Sequence, residues 1–358
     1  MTKQTLVCTL QHAGHSPIQL EGAHGASILI LPYGARVLGL FPGTELNLLW
    51  ANPALGSKNS ATEFFATEGW RNTGGNRTWI SPERDIHVRN LDDPWASYEV
   101  PESIDPGRFS VSKTEHQVHL SADGLLRNHR TGATCAVRLE KTIGLVPSPL
   151  RYDPAARTRF EDVHYAGYAQ TTVLTLTEAR DFRTGLSIWD AVNLPATGVL
   201  IIPTSHRAQV TDFFEPTGAR YLRQSHHVVT FVFDGRQRHK IALRVSDLMA
   251  GRAGYLRPLS ADQWTLVVRN FFIDPSAEYV DTPWLTPEDR GYALECYNDG
   301  GLNGAYGELE YHSQAIIGSS TSFIDHAQLW GFQGNKDDII EIAVSLLGIR
   351  SINISKLI

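Results

Sequence analysis

Short β-rich runs separated by turn residues recur along the whole chain, and this pattern constrains the fold more than any other feature. SILILPYGARVLGLF, HVVTFVFDG, IALRVSDL, TLVVRNFFID and YALECYND carry β-branched, aromatic and leucine residues in lengths suited to strands. Helical windows with caps are scarce. Runs around Ser60 to Phe65 and Asp337 to Leu347 each hold a helical turn or two, and SADQW at Ser260 offers an N-cap. No Pro/Gly/Ser-rich linker divides the chain, and no segment repeats at a period of about 20–50 residues. The expectation is an all-β, mostly antiparallel fold with residues 1–358 in one domain. A sandwich of two large sheets is the simplest way to bury so many amphipathic strands.

Composition narrows the partners. Hydrophobic residues make up 42% of the 358, ample for one large core, and charged residues only 20%, which speaks against disorder. The formal net charge is −6 with 14 histidines, so there is no basic footprint for nucleic acid or anionic lipid. A small neutral ligand fits better. Cys8, Cys135 and Cys296 are far apart and form no zinc-like set, which points to reduced thiols. MTKQTLVCTLQHAGH has no apolar secretory core, and no run reaches the ~20 apolar residues of a membrane span, so a soluble, cytoplasmic protein is expected. No cofactor is indicated, and the oligomeric state is left open.

The segment Gly291 to Gln314, GYALECYNDGGLNGAYGELEYHSQ, reads as two strands joined by a Gly/Asn/Asp turn. In the second, Tyr306, Glu308, Glu310 and His312 share one face, because strand side chains alternate. Two carboxylates and an imidazole behind an aromatic suggest a site that handles protons, while a solvated edge or an ion-pair ladder is the plainer reading.

A second concentration lies in the weakly patterned stretch Ala51 to Asp105. There EGWRNTGGNRTWISPERD, Glu68 to Asp85, reads as a ligand loop with Asn76, Arg77, Trp79, Glu83 and Arg84 as contacts. Indole rings stack on the C–H faces of sugars, and planar Arg, Asn and Glu groups pair with hydroxyls. Gly74 and Gly75 would let the backbone approach a ligand closely. Alternatively the tryptophans anchor the core and Arg77 and Arg84 neutralise Glu83 and Asp85. Trp189 and Asp190, adjacent in LSIWDAVNLP, point to opposite faces, so only one of them can face a cleft; Trp189 in the core with Asp190 solvated is the equal alternative. Asp299 joins the expected contacts. His326 has no spacing partner that would make it more than a surface residue.

Taken together, PYGARVLGLF, GGNRTWISPE, SIWDAVNLP and GELEYHS resemble, in order, the galactose mutarotase-like superfamily of aldose 1-epimerase relatives, over about Ile28 to Gly334. The resemblance implies a β-supersandwich and a carbohydrate ligand. The family's base is a glutamate in an LExQ-like context, which here singles out Glu310, with His312 in place of the glutamine and Glu308 as a neighbour able to shift its pKa. The family's acid histidine sits in an NHxYFNL-like segment. Ile188 to Leu194 is the comparable stretch, and that histidine is absent; His312, Asp190 or His164 would have to serve.

The implied reaction is anomer interconversion by general acid/base ring opening. A non-catalytic carbohydrate-binding or sensing protein is the alternative, favoured by the missing histidine. A glycoside hydrolase or lyase using paired carboxylates ranks third, since Glu308 and Glu310 approach from one direction and a glycosidase pair must flank the bond. Glu295, Asp299, Glu308 and Glu310 could gather oxygen ligands for calcium, but without EF-hand-like spacing no metal is expected.

Overall fold

The computed structural model describes residues 1–179, 185–301 and 304–350. Leu302 and Asn303, in the expected turn between the two late strands, fall outside them. The strands are, in chain order, β1 (Ile18–Glu21), β2 (Ala26–Leu31), β3 (Arg36–Pro42), β4 (Asn76–Ser81), β5 (Ser110–Lys113), β6 (Gln117–Arg127), β7 (Thr134–Leu145), β8 (His164–Ala179) and β9 (Ser187–Pro195). There follow β10 (Gly198–Pro203), β11 (Thr211–Asp212), β12 (Leu222–Gln224), β13 (Val228–Phe233), β14 (Arg238–Arg244), β15 (Arg252–Pro258), β16 (Gln263–Phe271), β17 (Tyr292–Asp299), β18 (Tyr306–His312) and β19 (Ser322–Asn335).

Among the described residues these form two sheets, every pairing antiparallel. One runs β1-β2-β3-β4-β9-β18-β17-β14-β11 and the other β12-β13-β10-β15-β16-β19-β8-β7-β6-β5. The expected all-β sandwich is the observed architecture. Its main core lies between the sheets, where Leu40, Val192, Ile241 and Leu309 of the first meet Leu120, Tyr168, Phe231 and Leu329 of the second. Alternation fixes the rest: the other face of the first sheet is free to carry a site.

Among the described residues five α-helices decorate the sandwich: α1 (Lys3–His12), α2 (Lys58–Ala66), α3 (Glu83–Ile86), α4 (Pro154–Arg159) and α5 (Lys336–Leu347). The last shows why its sequence is helical. Ile339, Ile342, Ala343, Leu346 and Leu347 make one buried stripe, Asn335 accepts from Asp338 N, and Gly348 closes the helix at φ 64°. That stripe packs on Val199, Leu256 and Trp264 of the second sheet. No helix of the described residues is long and apolar enough to cross a membrane.

Two local expectations are corrected. Ser260 caps no helix; its Oγ accepts from Asp262 N and Gln263 N in the turn between β15 and β16. The stretch expected as a ligand loop contains β4, held between β3 and β9. Gly74 and Gly75 do have positive φ, 92° and 75°, but the backbone they approach is their own: a Cβ at either would collide with Trp50 O or Val37 O.

Candidate active site

The outer face of the first sheet builds the site in three cross-strand rows. Trp79, Trp189 and His312 align across β4, β9 and β18. In the next row, Arg77, Ala191, Glu310 and Glu295 run from β4 to β17. In the third, Asn193, Glu308, Tyr297 and Lys240 run from β9 to β14. Each row is a direct consequence of register, since every second residue of a strand faces the same side.

The floor is cross-tied. Arg77 donates to both oxygens of Glu308, Nη1 to Oε1 at 2.6 Å and Nη2 to Oε2 at 3.1 Å, and Asn193 Nδ2 donates to the same Oε1. The guanidinium also lies 3.9 Å over the Trp79 ring. Trp79 Nε1 donates to Asp105 at 2.8 Å and Trp189 Nε1 to Glu310 Oε2 at 2.7 Å. Lys240 Nζ stands 2.7 Å from Glu295, 3.2 Å from Glu83 and 3.6 Å from Glu310.

Loops complete the walls. Glu83, on α3 just after β4, accepts from Tyr98 and Trp284. Trp95, Phe214 and Trp284 meet edge-on or tilted with ring centroids 4.7–5.2 Å apart, and Arg238 lies 3.7 Å over Trp95. The cleft between them holds about 220 Å³, with Arg77, Glu83, Arg238, Lys240, Glu308 and Glu310 bringing charge to an otherwise aromatic lining.

The site is rich in buried charge. Burial pushes Glu310 up to about 8, with Glu308 and Glu295 adding to the rise and Lys240 opposing it. Burial opposes ionisation of Glu295 too, yet Lys240 and His312 hold it down at about 2. Against its own burial, Lys240 is held well above the usual ammonium range by Glu295, Glu310 and Glu83. His312 is likewise raised despite burial, by Glu295 and Asp281. Asp281 is pushed well up by burial and by Glu295. As for metal-holding groups, atoms of Asp281, Glu295 and His312 lie within 4.8 Å of one another.

The structure brings together Arg77, Trp79, Glu83, Trp189, Glu308 and Glu310 on the cavity. Asp299 lies on the same face at the end of β17, opposite Arg238 in register. His312 is fully buried beside Glu295, not among the lining residues. Asp190 and Asn76 point the other way, into the sandwich, where Asp190 is ion-paired with Arg269 and accepts from Asn76, Thr78 and Gln170. A catalytic Asp190 on the cavity is therefore corrected by simple alternation with Trp189. Arg84 turns outward to Asp85 and the Trp284 carbonyl. His164 is exposed on β8 in the other sheet and lines a different cavity. Of the expected ion pairs Arg84–Asp85 forms, whereas Arg77 takes Glu308, not Glu83.

Sequence reasoning passed over Lys240, Tyr98, Trp95, Phe214 and Trp284. Two signals could have found some of them. A lysine inside the apolar alternation of HKIALR is one. The other is the recurrence of Asp-x-Pro-Trp, at Asp92 to Trp95 and again at Asp281 to Trp284.

Fold and cleft thus define a β-sandwich with an aromatic, carboxylate-lined pocket on one outer sheet face. The chain belongs to a family of unknown function, DUF6786, whose profile matches residues 9–358. In structure it is similar to the galactose 1-epimerase from Lactobacillus acidophilus NCFM, with a TM-score of 0.45 and 11% identity over 89% of this chain and 95% of that one. It is also similar, at a TM-score of 0.28 and 8% identity over 96% of this chain and 30% of that one, to a chain titled "Putative kojibiose phosphorylase from human microbiome". None of the curated proteins matches.

Proposed function

We propose that the cleft binds a carbohydrate. The observation that carries this reading is the composition and shape of the lining: indole rings of Trp79, Trp95, Trp189 and Trp284 beside the planar polar groups of Arg77, Glu308 and Glu310, around about 220 Å³. Indole faces suit the C–H faces of a pyranose, and carboxylates and guanidinium suit its hydroxyls. Isothermal titration with a panel of neutral mono- and disaccharides tests it. Saturable binding at one site supports the reading; a panel with no binder at millimolar concentration overturns it.

A second reading adds proton transfer at the anomeric centre, as the aldose 1-epimerase resemblance implies. The observation favouring it is that Glu310 faces the cavity with its contacts to Trp189 and Lys240 both on Oε2. Among the residues lining this cavity there is no histidine, so the partner acid would be another group on the wall, such as Tyr306 or Tyr297. Polarimetry on freshly dissolved anomers of any sugar that binds decides it. Faster exchange that disappears in Glu310→Gln supports catalysis, and binding without faster exchange leaves the protein a carbohydrate binder.

A further inference from the structure

Behind the cavity wall, on the far side of Lys240 and Glu310, Asp281, Glu295 and His312 are wholly buried, and their ligand-capable atoms lie within 4.8 Å of one another. Each has one polar atom held in place. His312 Nδ1 is 2.8 Å from Ser81 Oγ, Asp281 Oδ1 accepts from Glu83 N at 2.6 Å, and Glu295 Oε2 is 2.7 Å from Lys240 Nζ. Among the described residues no hydrogen-bond partner is found for His312 Nε2, for Asp281 Oδ2 or for either oxygen of Glu295, whose Oε2 meets Lys240 as an ion pair only. Nε2 and Oε1 are 3.4 Å apart, close but without hydrogen-bond geometry.

Asp281 Oδ2 has no partner among the described residues, and Nε2 and Oε1 have only each other, as an ion pair at 3.4 Å; buried polar atoms so poorly satisfied are costly unless something else meets them. Tethering of each side chain through its other polar atom is what orients metal ligands.

The geometry points to a binding site for a divalent first-row transition metal, held by His312 Nε2, Asp281 Oδ2 and Glu295 Oε1. One imidazole nitrogen and two carboxylate oxygens form a borderline-hard set suited to Zn²⁺ or Mn²⁺, whereas Ca²⁺ and Mg²⁺ prefer oxygen-only shells. Ligands about 2.1 Å from a common tetrahedral ion sit about 3.4 Å apart. The Nε2 to Oε1 pair already has that spacing, and one candidate atom of each of the three residues lies within 4.8 Å of the others. The metal would brace the wall that presents Lys240 and Glu310 to the cavity, and the inference holds whether or not the cavity takes a sugar.

The test uses the untagged full-length protein, stripped with a chelator and dialysed against ZnCl₂, MnCl₂ or CaCl₂ in the absence of any sugar. Expected is about one equivalent of Zn²⁺ or Mn²⁺ by elemental analysis, little Ca²⁺, and a higher melting temperature with the metal. Asp281→Asn and His312→Gln should each weaken binding at least a hundredfold. CoCl₂ gives a readout on the wild-type protein alone, with visible absorption bands expected from a low-coordinate site containing nitrogen. Less than 0.2 equivalents of Zn²⁺ and Mn²⁺ in the wild type overturns the inference. So does stoichiometric binding that both variants retain, which would put the metal elsewhere.

Discussion

Arg77 and Glu308, 231 positions apart in sequence, meet fork to fork across the floor of the cleft, with both side chains buried. Arg77→Met removes the cation and leaves the carboxylate of Glu308, among the described residues, with Asn193 as its one donor. Such an uncompensated buried charge costs about 3–5 kcal/mol. Urea unfolding should therefore show a large loss for Arg77→Met and recovery of much of it in Arg77→Met/Glu308→Leu. A loss under about 1 kcal/mol would mean that water reaches the pair.

Asp190 belongs to the scaffold. Its two oxygens collect donors from Asn76, Thr78, Gln170 and Arg269 between the sheets, with Tyr168 extending the network to Asn76. Asp190→Ala orphans those donors and should cost about 3–5 kcal/mol in chemical denaturation, whereas Asp190→Asn keeps part of the network and loses less. Protein that remains folded should bind the best sugar of the panel as the wild type does. A folded Asp190→Asn protein that no longer binds it would move Asp190 into the site.

Trp95 presents the opposite case. It is 42% exposed and touches Phe214, Trp284 and Arg238 at the cavity mouth, so little of its surface contributes to the core. Trp95→Ala should cost about 1–2 kcal/mol of stability, from the ring contacts it gives up, well below the cost of either buried-charge variant. It should weaken carbohydrate binding roughly ten- to a hundredfold, or about 1.4–2.8 kcal/mol, by titration calorimetry. Unchanged affinity would take this ring out of the ligand's path.

What could be read in advance follows from the range of each signal. The face shared by Tyr306, Glu308 and Glu310 was legible because alternation is a local rule, and α5 was legible from its apolar stripe. β4 was not. Its inward residues Asn76 and Thr78 are polar and pair with Asp190 more than 100 positions away, so no apolar alternation marks the strand. His312 shares a face with Glu310, yet whether it meets ligand or packs behind Lys240 depends on β14 and on the loop carrying Asp281. Those contacts between distant segments have no local spacing rule.

His87 should make the fold acid-sensitive. Its ring is buried against Trp79 and Tyr98, with centroids 5.1 and 5.8 Å away, and Nε2 is 3.2 Å from the Ile80 carbonyl. Burial lowers its pKa from 6.5 to about 4, although Glu83 pulls the other way. The unfolded chain therefore takes up a proton that the folded one refuses, so this contribution to stability is intact above pH 6.5 and is lost as pH falls toward 4. The slope has an upper limit of about 1.4 kcal/mol per pH unit. His87→Phe keeps a ring in the stack but cannot titrate. Its absolute stability will differ, because the contact with Ile80 is lost, so the informative quantity is the difference between the wild-type and variant stability curves. Urea unfolding at closely spaced pH values should give curves that converge as pH falls from 6.5 to 4, the wild type losing more. Parallel curves would mean that His87 titrates alike in the folded and unfolded states, and burial would not then account for its position beneath Trp79.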